Sequence, residues 1–147
     1  KATDLQAAIG CAQLQKLPEF IAKRRINWCY LREHLLDLAD HFEFQASDAR
    51  ANPSWFGFAL SVRSDKPGVR EELCQFLNDR RVETRLLFAG NILRQPGFRD
   101  IPHVLAAPLT NTNRAMQRTL WVGCWPGLTF EMLDYVIESL HDYVRTL

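Results

Sequence analysis

Apolar residues recur at helical spacing at the start of the chain. Thr3 can cap a helix there, and Asp4 in its first turn would meet the positive end of the helix dipole. The apolar positions before Pro18 are Leu5, Ala8, Ile9 and Ala12, and those after it are Ile21, Trp28, Leu31, Leu35 and Leu38. Because a first helical turn tolerates proline, the pattern predicts two consecutive helices, or one kinked helix, from about residue 3 to 39.

The opposite side of this helical region is charged. Its residues are Lys23, Arg24, Arg25, Arg32 and Glu33. Such a run is typical of a solvated helix face, and a contact with a partner subunit is the alternative.

The middle of the chain changes to the two-residue period of a strand. Between residues 55 and 62 one face carries Phe56, Phe58, Leu60 and Val62. Helical spacing returns from Val69 to Arg80, and strand spacing resumes at residues 82–86, which together predict a strand–helix–strand unit. Residues 89–114 are rich in Gly, Asn, Pro and Thr and predict a long irregular loop of the kind that often carries function.

The end of the chain predicts a short helix, a strand and a final helix. The short helix covers Asn113–Arg118 and the strand Thr119–Val122, and Thr129 can cap the last helix. The buried face of that helix should carry Leu133, Val136, Ile137, Leu140 and Val144. The order of elements predicts an α+β fold with a small sheet and helices packed on one of its faces.

The composition fits one globular domain and excludes several classes of function. The chain has 147 residues, 47% of them hydrophobic, which is enough for one core. Its net charge of +1 is too low for nonspecific binding of nucleic acid, which needs a concentrated positive field. No apolar stretch is long enough to span a bilayer, and the start lacks the layout of a signal peptide. We therefore expect a cytoplasmic protein without a membrane segment.

The four cysteines do not predict a metal site. Cys11, Cys29, Cys74 and Cys124 lie far apart in the sequence, and no C-x-x-C pair brings two sulfurs together. Buried free thiols are the simplest expectation for them.

The segment from Val82 to Pro96 is the best candidate for a binding site. It places Arg85, Arg94 and Asn91 in an otherwise apolar run. A planar guanidinium group matches a pair of anionic oxygens, so the two arginines beside a Gly-Asn turn predict a grip on phosphate or carboxylate. An ion pair with a nearby acid such as Glu83 or Asp100 is the alternative, and the sequence leaves it open.

The other titratable residues do not form a recognisable catalytic group. A lysine that forms a Schiff base must be desolvated, but the lysines stand at the first residue, on helix faces or in a turn. The four histidines are His34, His41, His103 and His141, and each has a structural explanation. We expect no catalytic residue within these 147 residues, and we expect them to be inactive alone.

Three blocks of sequence resemble the DegT/DnrJ/EryC1/StrS family, whose nucleotide-sugar enzymes share the fold type I architecture of vitamin B6 enzymes. The blocks are Thr84–Pro96, Lys1–Leu14, which is similar to T-D-x-Q-A-A-x-G-x-x-Q-L, and Trp121–Thr129. The resemblance covers essentially the whole chain but only the C-terminal third of such an enzyme. It implies linking helices over residues 1–40 and the C-terminal small α+β domain, with an antiparallel sheet, over residues 41–147. No initiator methionine precedes Lys1, so we expect a fragment.

The sugar-dehydrase branch of the family is the most similar. It implies the C3 deoxygenation of a CDP-4-keto-6-deoxyhexose on the route to the dideoxysugars of lipopolysaccharide O-antigen. Such enzymes use pyridoxamine or pyridoxal phosphate and a 2Fe-2S cluster, take electrons from a reductase partner and form homodimers. The resemblance implies that the ligands of both groups lie upstream of this chain.

The resemblance also implies which residues meet the ligands. Arg85, Phe88, Asn91 and Arg94 would approach the nucleotide-diphosphate sugar at the active site. Lys1 would lie near the cofactor phosphate of a neighbouring subunit. A nucleotide-sugar aminotransferase or a cluster-free dehydratase of the same family remains an alternative, as does a free-standing, non-catalytic interaction domain.

Overall fold

A single long helix begins the chain. The computed structural model describes all residues from Lys1 to Leu147 and places α1 at Asp4–His34. Thr3 caps it as predicted, because its hydroxyl accepts from the Gln6 N–H at 3.3 Å while the Gln6 side chain accepts from the Thr3 N–H at 2.9 Å. Pro18 lies inside α1, so the predicted alternative of one helix is right and that of two helices is wrong.

Seven further helices and strands follow α1. They are β1 (Phe42–Phe44), β2 (Gly57–Val62), α2 (Val69–Asp79), β3 (Thr84–Leu86), α3 (Thr110–Arg118), β4 (Thr119–Gly123) and α4 (Phe130–Val144). Three short 3-10 helices cover Leu36–Leu38, Ile92–Arg94 and Pro96–Phe98. No helix combines the length and the apolar character that crossing a membrane requires.

The strands form one antiparallel sheet in the order β1-β2-β4-β3. Residues that are directly opposite each other share a face of the sheet. Phe58, Val122 and Thr84 therefore lie on one face, and Ala59, Trp121 and Arg85 on the other. β1 was not predicted, because a three-residue strand is too short to show a period.

The core lies between the first face of the sheet and three helices. The strands contribute Phe42, Phe58, Leu60, Val62, Leu120 and Val122, and α1, α2 and α4 contribute Trp28, Leu31, Leu73, Leu77, Leu133, Ile137, Leu140 and Tyr143. Burial of each leucine contributes about 2 kcal/mol. This arrangement confirms the predicted α+β fold with helices on one face. The prediction that Phe56 shares the buried face of β2 is wrong, because Phe56 precedes this strand and is 66% exposed.

The predicted solvated face of α1 is partly wrong. The Arg24 guanidinium donates to the Trp55 carbonyl at 3.1 Å, and that of Arg25 donates to the Pro53 carbonyl at 2.9 Å. The loop before β2 runs back along α1 with carbonyl groups that have no strand partner, so the two arginines supply the missing donors. Beside them the rings of Trp28 and Trp55 stack with centroids 4.2 Å apart.

One ion pair connects the short 3-10 helix that follows α1 to the last helix, α4. His141 on α4 places Nε2 at 2.8 Å from Asp37 Oδ2, while its Nδ1 lies 2.9 Å from the Ile137 carbonyl. Both neighbours are acceptors, so only the doubly protonated ring satisfies both. Burial alone would lower the pKa of His141, but the Ile137 carbonyl and the Asp37 carboxylate outweigh it and raise that pKa. The hydrogen bond from His141 lowers the pKa of Asp37.

We predict that Asp37→Asn destabilises the fold more at pH 5.5 than at pH 8. Because the pKa of His141 is raised on folding, its contribution to stability is complete below the unfolded pKa of 6.5 and is lost as the pH rises through the folded pKa. The pKa of Asp37 is lowered on folding, so its contribution is lost only in acid. The pair should therefore contribute about 0.5 kcal/mol near pH 5.5 and less at pH 8. Urea unfolding at both pH values measures the difference.

Asp48→Asn is the matched control. Asp48 pairs with Arg50, which does not titrate in this range, so this substitution should have the same effect at both pH values. An equal effect of Asp37→Asn at pH 5.5 and 8 would contradict the assigned protonation of His141.

Candidate functional site

A groove of about 1060 Å³ opens between the β3 segment, the end of β4 and the start of α4. Its aromatic lining consists of Phe56, Phe88, Trp121, Trp125 and Tyr135, and its charged lining of Arg81, Glu83, Arg85 and Glu131. Pockets that bind small molecules are mostly apolar with a few polar groups that orient the ligand. The groove has this character and is the candidate binding site.

Arg85 is one of the four charged residues that line the groove. It lies in β3 opposite Trp121, and its side chain is 63% exposed. Its guanidinium group contacts Glu83 at 2.6 Å, so of the two acids left open by the sequence it is Glu83, and not Asp100, that pairs with it. An exposed ion pair contributes little stability. An anionic ligand can therefore replace Glu83 at small cost.

Phe88 forms part of the same wall and is held in an unusual conformation. Its φ angle is +46°, in the left-handed region that a bulky residue rarely adopts, and it is 81% exposed. It occupies the second position of a turn in which the Gly90 N–H donates to the Leu87 carbonyl at 3.0 Å. Turns with positive φ at that position usually place Gly, Asn or Asp there.

Asn91 points inward, away from the groove. It is only 4% exposed, and its Nδ2 donates to Asn113 Oδ1 at 2.8 Å. Its Oδ1 accepts from the Leu93 N–H at 3.0 Å and so caps the short helix Ile92–Arg94. Both ends of the Asn91 amide are thus engaged within the protein.

The other two predicted site residues lie outside the groove. Arg94 is exposed and its guanidinium group has no partner within the chain, and Lys1 is exposed ahead of α1. The structure therefore brings Arg85 and Phe88 together and leaves Asn91, Arg94 and Lys1 elsewhere. A direct contact of any of them with a ligand stays a prediction.

Sequence reasoning named Phe88 but missed the other aromatic residues of the groove. Trp121 alternates with the buried Leu120 and Val122, and this parity could have placed it beside Arg85 on the second face of the sheet. Its indole N–H donates to the Leu86 carbonyl at 3.2 Å, and its ring contacts that of Phe56 with centroids 4.9 Å apart. Arg81, with φ of +61°, gave no signal in the sequence.

The titratable side chains of the groove and its surroundings include no cluster of metal ligands and no lysine of the kind that forms a Schiff base. No group of three His, Cys, Asp or Glu side chains could hold a metal ion. Cys124 is buried, and burial raises its pKa to about 12, so it carries a thiol at neutral pH. Lys23 pairs with Glu19 at 2.8 Å on a helix surface, and neither a lysine nor a histidine lines the groove.

Comparison with known proteins identifies a family. Residues 1–141 match the model of the DegT/DnrJ/EryC1/StrS aminotransferase family. The chain is 41% identical to the lipopolysaccharide biosynthesis protein RfbH of Salmonella typhimurium and 44% identical to the dTDP-4-dehydro-2,6-dideoxy-D-glucose 3-dehydratase of Saccharopolyspora spinosa. These matches cover 97% and 98% of this chain but 33% and 31% of the two relatives. The chain thus spans about a third of their length.

A solved structure has the same fold. The E. coli GDP-4-keto-6-deoxy-D-mannose-3-dehydratase with bound hydrated PLP superposes with a TM-score of 0.81 at 29% identity. The match covers 92% of this chain and 34% of the other. This likeness confirms the predicted fold class, that of the fold type I vitamin B6 enzymes.

We predict that Gly90→Ala destabilises the chain by about 2 kcal/mol. Its φ is +62°, and an added Cβ would lie 2.4 Å from Met116 Cγ and 3.2 Å from Met116 Cα, so the β3–α3 connection would have to shift. The midpoint of urea unfolding is the measurement. Gly97→Ala is the control, because a Cβ there meets nothing within 4 Å. Equal midpoints for the two variants would contradict the proposed close packing of Gly90 on Met116.

Proposed function

The chain belongs to the DegT/DnrJ/EryC1/StrS aminotransferase family, and on that basis we propose that it is the C-terminal part of a nucleotide-sugar 3-dehydratase. The relatives named above include two sugar 3-dehydratases and a lipopolysaccharide biosynthesis protein. The whole enzyme would be a cytoplasmic homodimer in the biosynthesis of lipopolysaccharide dideoxysugars, in which this part holds the substrate.

One observation carries the proposal at the level of the site. Arg85 presents a guanidinium group on the wall of an aromatic groove, held only by the exposed Glu83. A nucleoside diphosphate sugar needs two kinds of contact, charged donors for the diphosphate and flat apolar surfaces for the base. The groove offers both kinds of contact beside the paired strands β3 and β4.

The substrate we propose is a CDP-4-keto-6-deoxyhexose, which loses its C3 hydroxyl group. The choice of CDP goes beyond the named relatives, because their names specify dTDP and GDP sugars. Competition of CDP, dTDP and GDP for binding to the full-length enzyme distinguishes the three. Tightest binding of dTDP or GDP would overturn the choice of CDP while leaving the reaction class in place.

The cofactor of the proposed enzyme is pyridoxamine or pyridoxal phosphate, which when bound supplies the electron sink that weakens bonds next to the sugar C4 carbon. We also propose a 2Fe-2S cluster and a reductase that delivers electrons. Both groups would be held mainly by residues outside these 147. The four cysteines form no metal-binding group, although only Cys124 is buried as expected, whereas Cys11 and Cys29 are exposed. Within this chain Arg85 would bind and orient the diphosphate, and the aromatic lining would exclude water from the groove.

Two alternatives follow from the same observations. A nucleotide-sugar aminotransferase, or a dehydratase without a cluster, would use the same groove and the same family fold. A non-catalytic interaction domain is favoured only by the exposed apolar lining of the groove, which a protein partner could also cover.

We predict that Arg85→Ala in the full-length enzyme raises the KM for the nucleotide sugar about tenfold or more, because a charged hydrogen bond to the diphosphate is lost. The melting temperature should hardly change, since the Arg85–Glu83 pair is exposed. Steady-state kinetics and thermal unfolding measure the two effects. A lower melting temperature with unchanged kinetics would assign Arg85 a structural role only.

The visible absorption spectrum of the full-length enzyme, purified without air, tests the reaction class. We expect a brown chromophore that dithionite bleaches, together with uptake of pyridoxamine phosphate. A yellow B6 band without the brown chromophore would favour the aminotransferase or the cluster-free dehydratase. A colourless protein that takes up no cofactor would overturn the proposed enzyme.

A further inference from the structure

The turn at Phe88 is strained at the tip and anchored at its base. A non-glycine residue in the left-handed region costs roughly 1–3 kcal/mol and persists only where the surrounding structure fixes it. Phe88 has this conformation while its ring lies in solvent, where burial of the ring does not offset the cost. The contacts that hold the turn must therefore come from its flanks.

Five contacts fix the flanks of the turn, and one of them is the hydrogen bond from the Asn91 N–H to Met116 Sδ at 3.4 Å. The Leu86 carbonyl accepts from the Trp121 indole N–H, and the Ala89 carbonyl accepts from Gln95 Nε2 at 2.6 Å. Gly90 packs so closely on Met116 of α3 that no side chain fits there. Next to it Asn91 is buried and donates to Asn113, again on α3.

Among these contacts only the Asn91–Asn113 bond joins two buried or half-buried side chains across 22 residues of sequence. Because the Asn91 Oδ1 also accepts from the Leu93 N–H, the amide orientation of Asn91 is determined. This hydrogen bond and the longer one from the Asn91 N–H to Met116 Sδ, at 3.4 Å, connect the base of the Phe88 turn to α3.

We infer that the Asn91–Asn113 hydrogen bond is a latch that holds Phe88 as a rigid aromatic platform for the flat base of the nucleotide. Asn91 and Asn113 are then positioning residues that act through Phe88. This inference rests on the proposed function, since it takes the ligand of the groove to be a nucleoside diphosphate sugar. It differs from the sequence-based expectation, in which Asn91 itself touches the substrate.

The chemistry of two asparagines allows a sharp test in the full-length holoenzyme. Asn91→Asp alone keeps the bond if Asn113 turns its amide over, and Asn113→Asp alone keeps it with Asn91 as the donor. The double variant places two carboxylates within hydrogen-bond distance of each other, with no donor between them. Each single variant should therefore keep the hydrogen bond, and the double variant should lose it.

Two readouts separate the latch from the ligand. Amide hydrogen exchange of residues 90–93 reports the latch, and the KM for the nucleotide sugar, with the Kd values of CDP, dTDP and GDP, reports the ligand. We expect the double variant to lose protection and to raise KM about tenfold at little change in kcat. Phe88→Ala should raise KM similarly without a change in exchange at residues 90–93. Asn91→Asp combined with Asn111→Asp adds the same charge at an exposed α3 position and should keep the exchange protection of residues 90–93.

Each failure has its own meaning. Unchanged exchange in the double variant would overturn the latch. Lost protection with unchanged KM would show that the bond is structural only, and would overturn the positioning role. A wild-type enzyme that binds none of the three nucleotides would overturn the proposed function and with it the contact at Phe88, while the exchange data would still decide whether the latch exists.

Discussion

The pairing of β4 between β2 and β3 is the constraint on which the rest of the structure depends. Its register places Leu120 and Val122 against the helices and turns Trp121 to the other face, directly opposite Arg85. A shift by one residue would exchange the two faces, moving leucine and valine into solvent and tryptophan into the core. The same register therefore determines both the core and the groove, and the site cannot move without loss of the fold.

The first part of α1 lies outside this core. Every residue from Lys1 to Glu19 is exposed. Leu5 and Ile9 are one turn apart on one side, whereas Leu14 lies nine residues after Leu5 and so points to the opposite side. A helix that is apolar on two opposite sides needs a covering surface on each. These 147 residues supply neither, which agrees with a chain that spans about a third of the length of its relatives.

Local signals in the sequence predicted most of the fold. The caps at Thr3 and Thr129 and the alternation along β2 depend on neighbouring residues only, and the structure confirms them. Features that depend on distant partners were missed or misjudged. Arg24 meets carbonyl groups 31 and 32 residues away, and the inward turn of Asn91 depends on Asn113. Of the four residues that the sequence suggested between Val82 and Pro96, Arg85 and Phe88 line the groove, whereas Asn91 and Arg94 do not.

The candidate site combines a rigid part with an adjustable one. Phe88 is fixed by the contacts at its flanks, so a ligand that stacks on it does not have to order the loop. Arg85 is held only by an exposed carboxylate, so it can exchange Glu83 for an anionic ligand with little loss. Association is weakened by each side chain that must be immobilised, by about 0.5–1.5 kcal/mol. A strained but ordered phenylalanine has met that cost during folding, which gives a physical reason for an exposed aromatic ring to be held in the left-handed region.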